Sequence, residues 1–432
     1  LLGAFGFVYY RNYRKNTLEG FRGIDFGTIL LFSLFFFSIV SARGSVRTIM
    51  VLVPVASIMV SYLAVSLIAS AQSHREQKRI VVAVLAGVVV LASAYSAIAF
   101  YNESITLAES YIPSAYTYQW QHAMSWVRNS TPQNAVFAHW WDYGYWVQSI
   151  GERATVLDGG NAQVYWNHLL GRHVLTGESK KEGLEFMYAH NVTHLLIDST
   201  EIGKYTAFSS IGSNEEYDRY SWISTFTLDP SQTVERKNVS VYIYQGQFVL
   251  DEDISYTLNG THVFLPAGGA ALLAVIVERN IEGEIVSAPL GVFVYQNNQI
   301  QLPIKHVFDE QLFDFNDGVE ATIVMMPRLV QADQGIQLVQ DGAFLYLSER
   351  VQNSNLAHLY LYGEQDSNYR LAHSEDDFIV KELKTQGLSS NDFVLFDSVR
   401  GPIKIWEINY PETIELRPEF LETYWPESLR RV

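Results

Sequence analysis

The sequence predicts a multi-pass α-helical membrane region followed by a mixed α/β extracytoplasmic domain with a β-rich insertion. Two apolar runs without any charge, residues 49–71 and 80–101, contain 23 and 22 residues, and a third run at 26–42 contains 17. Helices of this length, at about 1.5 Å per residue, span the ~30 Å apolar core of a bilayer. After residue 101 the apolar residues fall into short runs between turn residues, which is typical of a globular domain.

Basic residues orient these spans. Residues 1–10 are apolar and begin without methionine, so we interpret them as the cut end of a further span in a truncated chain. Basic clusters at 11–22 and 75–79 flank spans on one side, which the positive-inside rule makes cytoplasmic. The part after residue 101 is therefore expected on the outer face of the cell membrane. All five Asn-x-Ser/Thr sequons lie in that outward part, which agrees with this orientation.

The charge distribution argues against nucleic acid as a partner. The net charge of −16 combines +6 on the first hundred residues with −22 on the rest, so the outward part would repel a polyanion. Membrane lipids are the partners that the apolar runs predict. The chain has no cysteine, so the outward part contains no disulfide bond.

The outward part divides into three stretches, after a predicted membrane region at 1–101. Residues 112–231 alternate helical and strand patterns, which predicts an α/β core. Residues 232–345 contain short β-rich runs, which predict a sandwich or barrel-like insertion. Residues 346–432 return to helix-plus-strand character and are expected to complete the core and end in a tail. The helices and strands predicted for the core and its completion lie at 116–129, 135–138, 154–157, 181–189, 192–197, 357–362 and 403–408.

An aromatic motif stands out in the core. It reads Trp140-Trp141-Asp142-Tyr143-Gly144 and continues with two further aromatics. One interpretation is a buried turn in which the tryptophans supply apolar area and Asp142 caps a helix. The other is recognition of a small hydroxyl group. Two indole N–H donors and one carboxylate acceptor can satisfy a hydroxyl, and such a pocket rejects ligands that lack it.

A resemblance favours the second interpretation. The run 138–147, followed by 151–158, resembles the signature of the oligosaccharyltransferase catalytic subunit family, particularly its archaeal single-chain members. The resemblance implies the last spans of a GT-C type glycosyltransferase. It also implies transfer of a glycan from a polyprenyl (dolichyl) phosphate or diphosphate carrier to asparagine in Asn-x-Ser/Thr sequons. The implied partners are the lipid-linked oligosaccharide and acceptor polypeptides, with no partner subunit.

The resemblance extends to a lysine in the core. Residues 197–208 occupy the place of a family helix whose lysine or isoleucine backs the hydroxyl pocket. Glu201-x-x-Lys204 keeps a three-residue spacing but changes the acid, whereas Asp198 does not have the expected spacing to Lys204. A solvated helix lysine is the alternative for Lys204. The sequon-binding residues implied by the resemblance are Trp140, Trp141, Asp142, Tyr143, Gly144 and Lys204.

Two residues are implied to lie at the pyrophosphate of the donor lipid. Tyr145 is one, by its place in the family signature. Arg47 is the other, because residues 46–54 resemble a family membrane helix whose arginine contacts that pyrophosphate. The charge pattern also puts Arg47 at the outer mouth of a span. The alternative is that Arg43 and Arg47 only anchor the helix end at the membrane edge.

The family resemblance implies a Mn²⁺ or Mg²⁺ ion held by acidic residues on external loops of the membrane region. The only acids in residues 1–101 are Glu19, Asp25 and Glu76, without an Asp-x-Asp pair. Catalytic residues and metal ligands are therefore expected outside this chain, which should be inactive alone. Two alternatives stay open: a different GT-C glycosyltransferase, such as a protein mannosyltransferase, and a non-enzymatic membrane-anchored surface protein with a partner-binding ectodomain.

Overall fold

The computed structural model divides the chain into two compact units, Leu1–Ala115 and Tyr116–Val432. The predicted partial span at 1–10 falls almost entirely outside the described residues, as do two of the basic residues that orient the spans, Arg22 and Arg75. The structure describes residues 7, 10–15, 26–73, 77–110, 116–235, 237–258, 260–332, 335–426 and 429.

The first unit contains three long helices, α1 (Phe26–Gly44), α2 (Ile49–Ser73) and α3 (Gln77–Ser110). Each is long and apolar enough to cross a membrane, and few of their side chains are buried. Exposed leucine, valine and isoleucine on every face suit a lipid environment rather than water. Helix α3 continues past the predicted end at residue 101, because residues 102–110 contain neither glycine nor proline.

The α/β core of the second unit contains a five-stranded sheet with the order β15-β18-β3-β1-β2. Strands β1, β2 and β3 are parallel to one another, β18 pairs antiparallel with β3, and the edge strand β15 pairs antiparallel with β18. The strands are β1 (Val136–Ala138), β2 (Ala154–Thr155), β3 (His194–Ile197), β15 (Tyr369–Glu375) and β18 (Ile403–Ile408). The helices of this unit are α4 (Tyr118–Ser130), α5 (Gly144–Ser149), α6 (Val164–Leu169), α7 (Lys180–Ala189), α8 (Thr200–Gly212), α9 (Glu349–Gln352) and α10 (Phe378–Thr385).

A second, larger sheet forms the β-rich region. Its path β11-β10-β9-β6-β4-β14-β13 is closed by a parallel pairing between β11 and β13, so these strands form a barrel. Strands β12, β5, β16 and β17 extend it, and β7 pairs only with β8. The strands are β4 (Ser224–Leu228), β5 (Val234–Glu235), β6 (Val239–Val249), β7 (Ile254–Leu258), β8 (Thr261–Leu265), β9 (Ala271–Asn280), β10 (Leu290–Tyr295), β11 (Asn298–Asp309), β12 (Gln311–Asp314), β13 (Val319–Ala332), β14 (Gly335–Ser348), β16 (Val394–Phe396) and β17 (Ser398–Arg400).

The predicted fold class is confirmed: three long apolar helices precede a globular α/β domain that carries a β-rich region. The structure differs in three details. Strand β4 and the β16–β17 hairpin pair with strands of the barrel. Both lie in stretches that the sequence assigned to the α/β core or to its completion. Strand β2 has two residues where four were predicted. The run at 357–362, for which the sequence did not choose between helix and strand, forms a π-helical turn over 357–361.

Candidate functional site

The aromatic motif (residues 140–144) lies at the carboxyl end of β1. Strand β3 runs parallel to β1, with Leu195 opposite Ala138. Strand β3 is followed by α8. The motif and the first turn of α8 therefore meet at the same edge of the sheet. This edge is where open α/β sheets bind their ligands.

An ion pair joins the two elements. The Lys204 ammonium lies 2.7 Å from Oδ2 of Asp142, and the two side chains are 32% and 25% exposed. The same ammonium donates a hydrogen bond to the Tyr143 hydroxyl at 3.0 Å and lies over the Tyr143 ring, 4.8 Å from its centre. Lys204 is therefore not a solvated helix lysine.

Tyr143 supports this pair from within the core. Its ring is buried and stacks on Trp120 with 4.7 Å between centroids. Its hydroxyl donates to the Glu201 carboxylate at 3.1 Å and is hydrogen bonded to Thr200. Burial raises the pKa of Tyr143 well above its usual range, and the negative charge of Glu201 adds to this. The phenol is thus a neutral hydrogen-bonding group.

The two tryptophans differ in environment. Trp140 is buried and packs edge-to-face on Phe208 at 5.6 Å, as expected for a core turn. Trp141 is half-buried beside it, with 6.4 Å between the ring centroids. Within the described part of the chain, neither indole N–H has a protein hydrogen-bond acceptor. Trp141 is thus the better placed of the two to donate to a ligand.

Gly144 has a packing role that the sequence did not reveal. A Cβ atom on this residue would lie 2.5 Å from Cα of Asp158 and 2.6 Å from the carbonyl oxygen of Leu157. Because these are mainly backbone contacts, a larger residue would push the start of α5 away from the segment after β2. Glycine therefore fixes the turn that presents Asp142.

Tyr145 and Arg47 are both accessible. Tyr145 is 53% exposed, and its ring lies so close to Gly159 that a Cβ there would meet it at 2.8 Å. Arg47 is exposed in a single turn of 3₁₀ helix, Val46–Thr48, between α1 and α2. Arg47 belongs to the first unit, whereas the cluster around Asp142 belongs to the second.

Three residues at the site received no role in the sequence analysis, although the spacing of one, Glu201, to Lys204 was noted there. Thr200 and Glu201 contact the Tyr143 hydroxyl, and Glu201 is fully buried. His139 is also fully buried; its Nδ1 lies 2.7 Å from the Trp140 carbonyl oxygen, and burial lowers its pKa to about 4. An acid three residues before Lys204 on one helix face was the signal that could have identified Glu201.

These residues do not fit a divalent metal. Across the described ranges of the chain, no three or more His, Asp or Glu side chains are placed to hold an ion. Asp142 is the only carboxylate of the motif, and its neighbour is the Lys204 ammonium rather than another acid. Mn²⁺ or Mg²⁺ prefers several oxygen ligands.

Comparisons with known proteins agree with the family resemblance that the aromatic motif indicates. Residues 133–250 match the STT3/PglB/AglB core domain. A dolichyl-phosphooligosaccharide-protein glycotransferase 1 from Pyrococcus furiosus is 29% identical over 130 residues, which are 28% of this chain and 13% of that protein. A dolichyl-diphosphooligosaccharide–protein glycosyltransferase subunit STT3B from Oryza sativa is 27% identical over 147 residues, 33% of this chain and 16% of that protein.

A solved archaeal structure is a weaker match. The oligosaccharyltransferase AglB from Archaeoglobus fulgidus, in complex with an inhibitory peptide and a dolichol-phosphate, aligns with a TM-score of 0.46 and 14% identity, over 94% of this chain and 45% of that chain. A TM-score of 0.46 is too low to support an argument. The matching segments span small parts of the curated relatives. The predicted resemblance to the oligosaccharyltransferase catalytic subunit family is nevertheless confirmed, and the match includes both the aromatic motif and Lys204.

Proposed function

We propose that this chain carries the acceptor-recognition half of an oligosaccharyltransferase. In this reaction a glycan moves from a polyprenyl (dolichyl) phosphate or diphosphate carrier to asparagine in Asn-x-Ser/Thr. The observation that supports it best is the contact between Asp142 and Lys204 at 2.7 Å. Two motifs that are distant in sequence, each suggesting hydroxyl recognition, meet at the ligand-binding edge of the α/β sheet. The relatives from Pyrococcus furiosus and Oryza sativa are named for this activity.

Asp142 is the hydroxyl acceptor in this proposal. Lys204 occupies one carboxylate oxygen, Oδ2, which leaves the second oxygen to accept a hydrogen bond from the Ser/Thr hydroxyl. Trp141 donates its indole N–H to the same hydroxyl. The ammonium also fixes the carboxylate rotamer, so the pocket is ordered before the peptide arrives.

This arrangement discriminates against residues without a hydroxyl. A sequon with alanine at this position leaves a desolvated carboxylate and an indole N–H without partners, which costs about 1–3 kcal/mol. That corresponds to roughly tenfold to hundredfold weaker binding. The rejection thus comes from unpaired polar groups rather than from steric exclusion.

The acceptor asparagine lies two residues before the hydroxyl. In an extended peptide this is about 6–7 Å away, so the reacting amide lies outside the Asp142 cluster. In the transfer, the bond between sugar C1 and the carrier phosphate oxygen breaks, a C1–N bond forms and the amide loses a proton. We assign no catalytic residue in this chain to these steps. Glycan transfer by the chain alone would contradict that.

Further parts of the proposal concern the donor side. Arg47 and Tyr145 would contact the phosphate or pyrophosphate of the donor lipid, because a guanidinium fork and a phenol both bind such oxygens. Mn²⁺ or Mg²⁺, held by acids outside this chain, would stabilise the leaving group. The second unit would lie on the outer face of the cell membrane. An archaeal enzyme that acts without partner subunits fits these features.

Peptide binding tests the acceptor site. The full chain in lipid nanodiscs should bind an Asn-Val-Thr peptide more tightly than Asn-Val-Ala, and Asp142→Ala should abolish that binding. Asp366→Ala is a matched control, because Asp366 is a similarly half-exposed partner of another lysine, Lys180. Unchanged affinity in Asp142→Ala would contradict the acceptor site.

Cysteine labelling tests the orientation. The chain has no cysteine, so a single introduced thiol reports on one position. A membrane-impermeant maleimide should label Tyr424→Cys in intact cells, because that side chain is exposed in the second unit. Lys15→Cys should be labelled only after the cells are opened. The reverse pattern would contradict the outward orientation.

A further inference from the structure

The carboxyl group of Glu201 lies next to the Asp142–Lys204 pair and is fully buried. Its Oε2 accepts hydrogen bonds from the Tyr143 hydroxyl at 3.1 Å and from the backbone N–H of Asp198 at 3.0 Å. Its Oε1 has no hydrogen-bond partner among the described residues. Burying a carboxyl group with one unpartnered oxygen costs stability. Such a group at the edge of the proposed site calls for a functional reason.

The hydroxyl of Tyr143 links Glu201 to the pocket. A phenol can donate one hydrogen bond and accept two. Here it donates to Glu201 and can accept from both Lys204, at 3.0 Å, and Thr200. Because Glu201 takes the only proton, the phenol lone pairs remain available to the ammonium. Lys204 is then held between the Tyr143 oxygen and Asp142.

The buried environment of Glu201 agrees with its role as the acceptor for the Tyr143 hydroxyl. Burial raises its pKa well above the usual range, and the neighbouring Asp198 raises it further. Asp198 is itself buried, with a raised pKa, and accepts from the backbone N–H of Thr200. Glu201 accepts from Tyr143 and forms no ion pair with Lys204 among the described residues, so it leaves the ammonium to Asp142. The ammonium of Lys204 therefore pairs with the half-exposed carboxylate of Asp142.

On the basis of the proposed acceptor recognition, we propose that Glu201 is a positioning residue of the hydroxyl pocket. Its carboxyl group fixes the Tyr143 hydroxyl, so that Lys204 stays on Asp142 and the second oxygen of Asp142 faces the acceptor. Glu201 does not touch the peptide. Its contribution is selectivity for Asn-x-Ser/Thr over the same peptide without a hydroxyl.

Titrations of two peptides test this role. Fluorine-labelled Asn-Val-Thr and Asn-Val-Ala peptides are titrated by ¹⁹F NMR against the full chain in lipid nanodiscs. Glu201→Ala should lower the Thr/Ala affinity ratio about tenfold, which corresponds to one weakened hydrogen-bonded contact. Glu201→Gln keeps a neutral carbonyl acceptor and should preserve the ratio within about twofold. General destabilisation would lower both affinities together and leave the ratio unchanged.

Several results would overturn the proposal. A wild-type ratio in Glu201→Ala shows that positioning is not needed, and a loss in Glu201→Gln equal to that in Glu201→Ala shows that a charge is required instead. Should Glu201→Ala fail to fold, Tyr143→Phe removes the hydroxyl and should give the same loss; an unchanged ratio again overturns it.

A buried acid elsewhere serves as control. Glu185 is also buried but pairs with Arg417 and Lys181, so Glu185→Ala should leave the ratio unchanged, and a similar loss there would overturn the assignment to Glu201. Failure of the proposed function is distinguishable. In that case the wild-type chain itself shows no preference for threonine, or Asp142→Ala retains it.

Discussion

Two dense aromatic clusters occur in the second unit, one at the aromatic motif and one inside the barrel. The barrel cluster is closed: its Tyr244 hydroxyl donates to the Asp341 carbonyl at 2.7 Å, and none of its rings reaches solvent. In the motif cluster, Trp140 and Tyr143 are as buried, but Asp142 and Lys204 reach the surface. The rings of the barrel cluster belong to Phe226, Tyr244, Phe248, Phe344 and Tyr346.

The difference shows that aromatic density marks burial and not a binding site. Large rings bury apolar area wherever they occur. A binding site needs polar groups that are ordered but not yet satisfied, because these give a ligand something to complete. The motif cluster has such groups in Asp142 and the indole of Trp141, whereas the Tyr244 hydroxyl of the barrel cluster already has a protein acceptor. The following experiments test this contrast.

The largest effect is expected in the barrel. Phe226→Ala removes a buried ring that stacks on Phe344, which should lower the free energy of unfolding by about 3–5 kcal/mol. Peptide affinity should not change, because the barrel has a separate core. Urea unfolding followed by tryptophan fluorescence reports on the second unit alone, since all nine tryptophans lie there. Phe313→Ala, at a half-exposed position, should cost less than about 0.5 kcal/mol. Loss of peptide binding in Phe226→Ala would contradict the separation.

A pH effect of intermediate size is expected from His139. Its pKa is about 4 in the folded chain and 6.5 in the unfolded chain. Between these values the unfolded chain binds a proton that the folded chain does not, so the unfolding free energy falls as the pH falls below 6.5. The loss is about 2 kcal/mol at pH 5.

Replacement of His139 should reduce this pH dependence. His139→Asn keeps an N–H donor for the Trp140 carbonyl but does not titrate, so urea midpoints at pH 7 and pH 5 should differ less than in the wild type. The exposed His122 serves as control, and His122→Asn should behave as the wild type. A pH dependence in His139→Asn as large as in the wild type would contradict the assignment.

The smallest effect is expected at Lys204. Lys204→Ala keeps Asp142 but removes its partner, so the carboxylate is less ordered and Asn-Val-Thr affinity should fall about tenfold, or about 1.4 kcal/mol. Lys180 forms a comparable pair with Glu364 at 3.0 Å, and Lys180→Ala should change affinity less than twofold. Equal effects of the two substitutions on peptide titrations would show that Lys204 has no special place in the pocket.

The sequence predicted most elements because their patterns are local. The runs at 181–189 and 403–408 formed the expected helix and strand, since apolar periodicity reports on the face that each element buries. Residues 357–361 form a π-helical turn, which the sequence did not predict, because a short and mainly apolar run does not distinguish helix from strand. Residues 224–228 lie in the stretch predicted as the α/β core, but they form a strand that pairs with the barrel, because strand partners depend on distant residues.

At the site, the sequence by itself determined the residue types for hydroxyl recognition: Trp140-Trp141-Asp142 and a lysine on a helix after a core strand. It did not determine which of these side chains are buried and which are accessible to a ligand. Only the tertiary structure buried Trp140, left Trp141 half-exposed, gave Gly144 its contact with Asp158 and put Glu201 behind Tyr143. The physical reason is that burial and hydrogen-bond partners depend on which strands are neighbours, and β1 and β3 become neighbours only in the folded sheet.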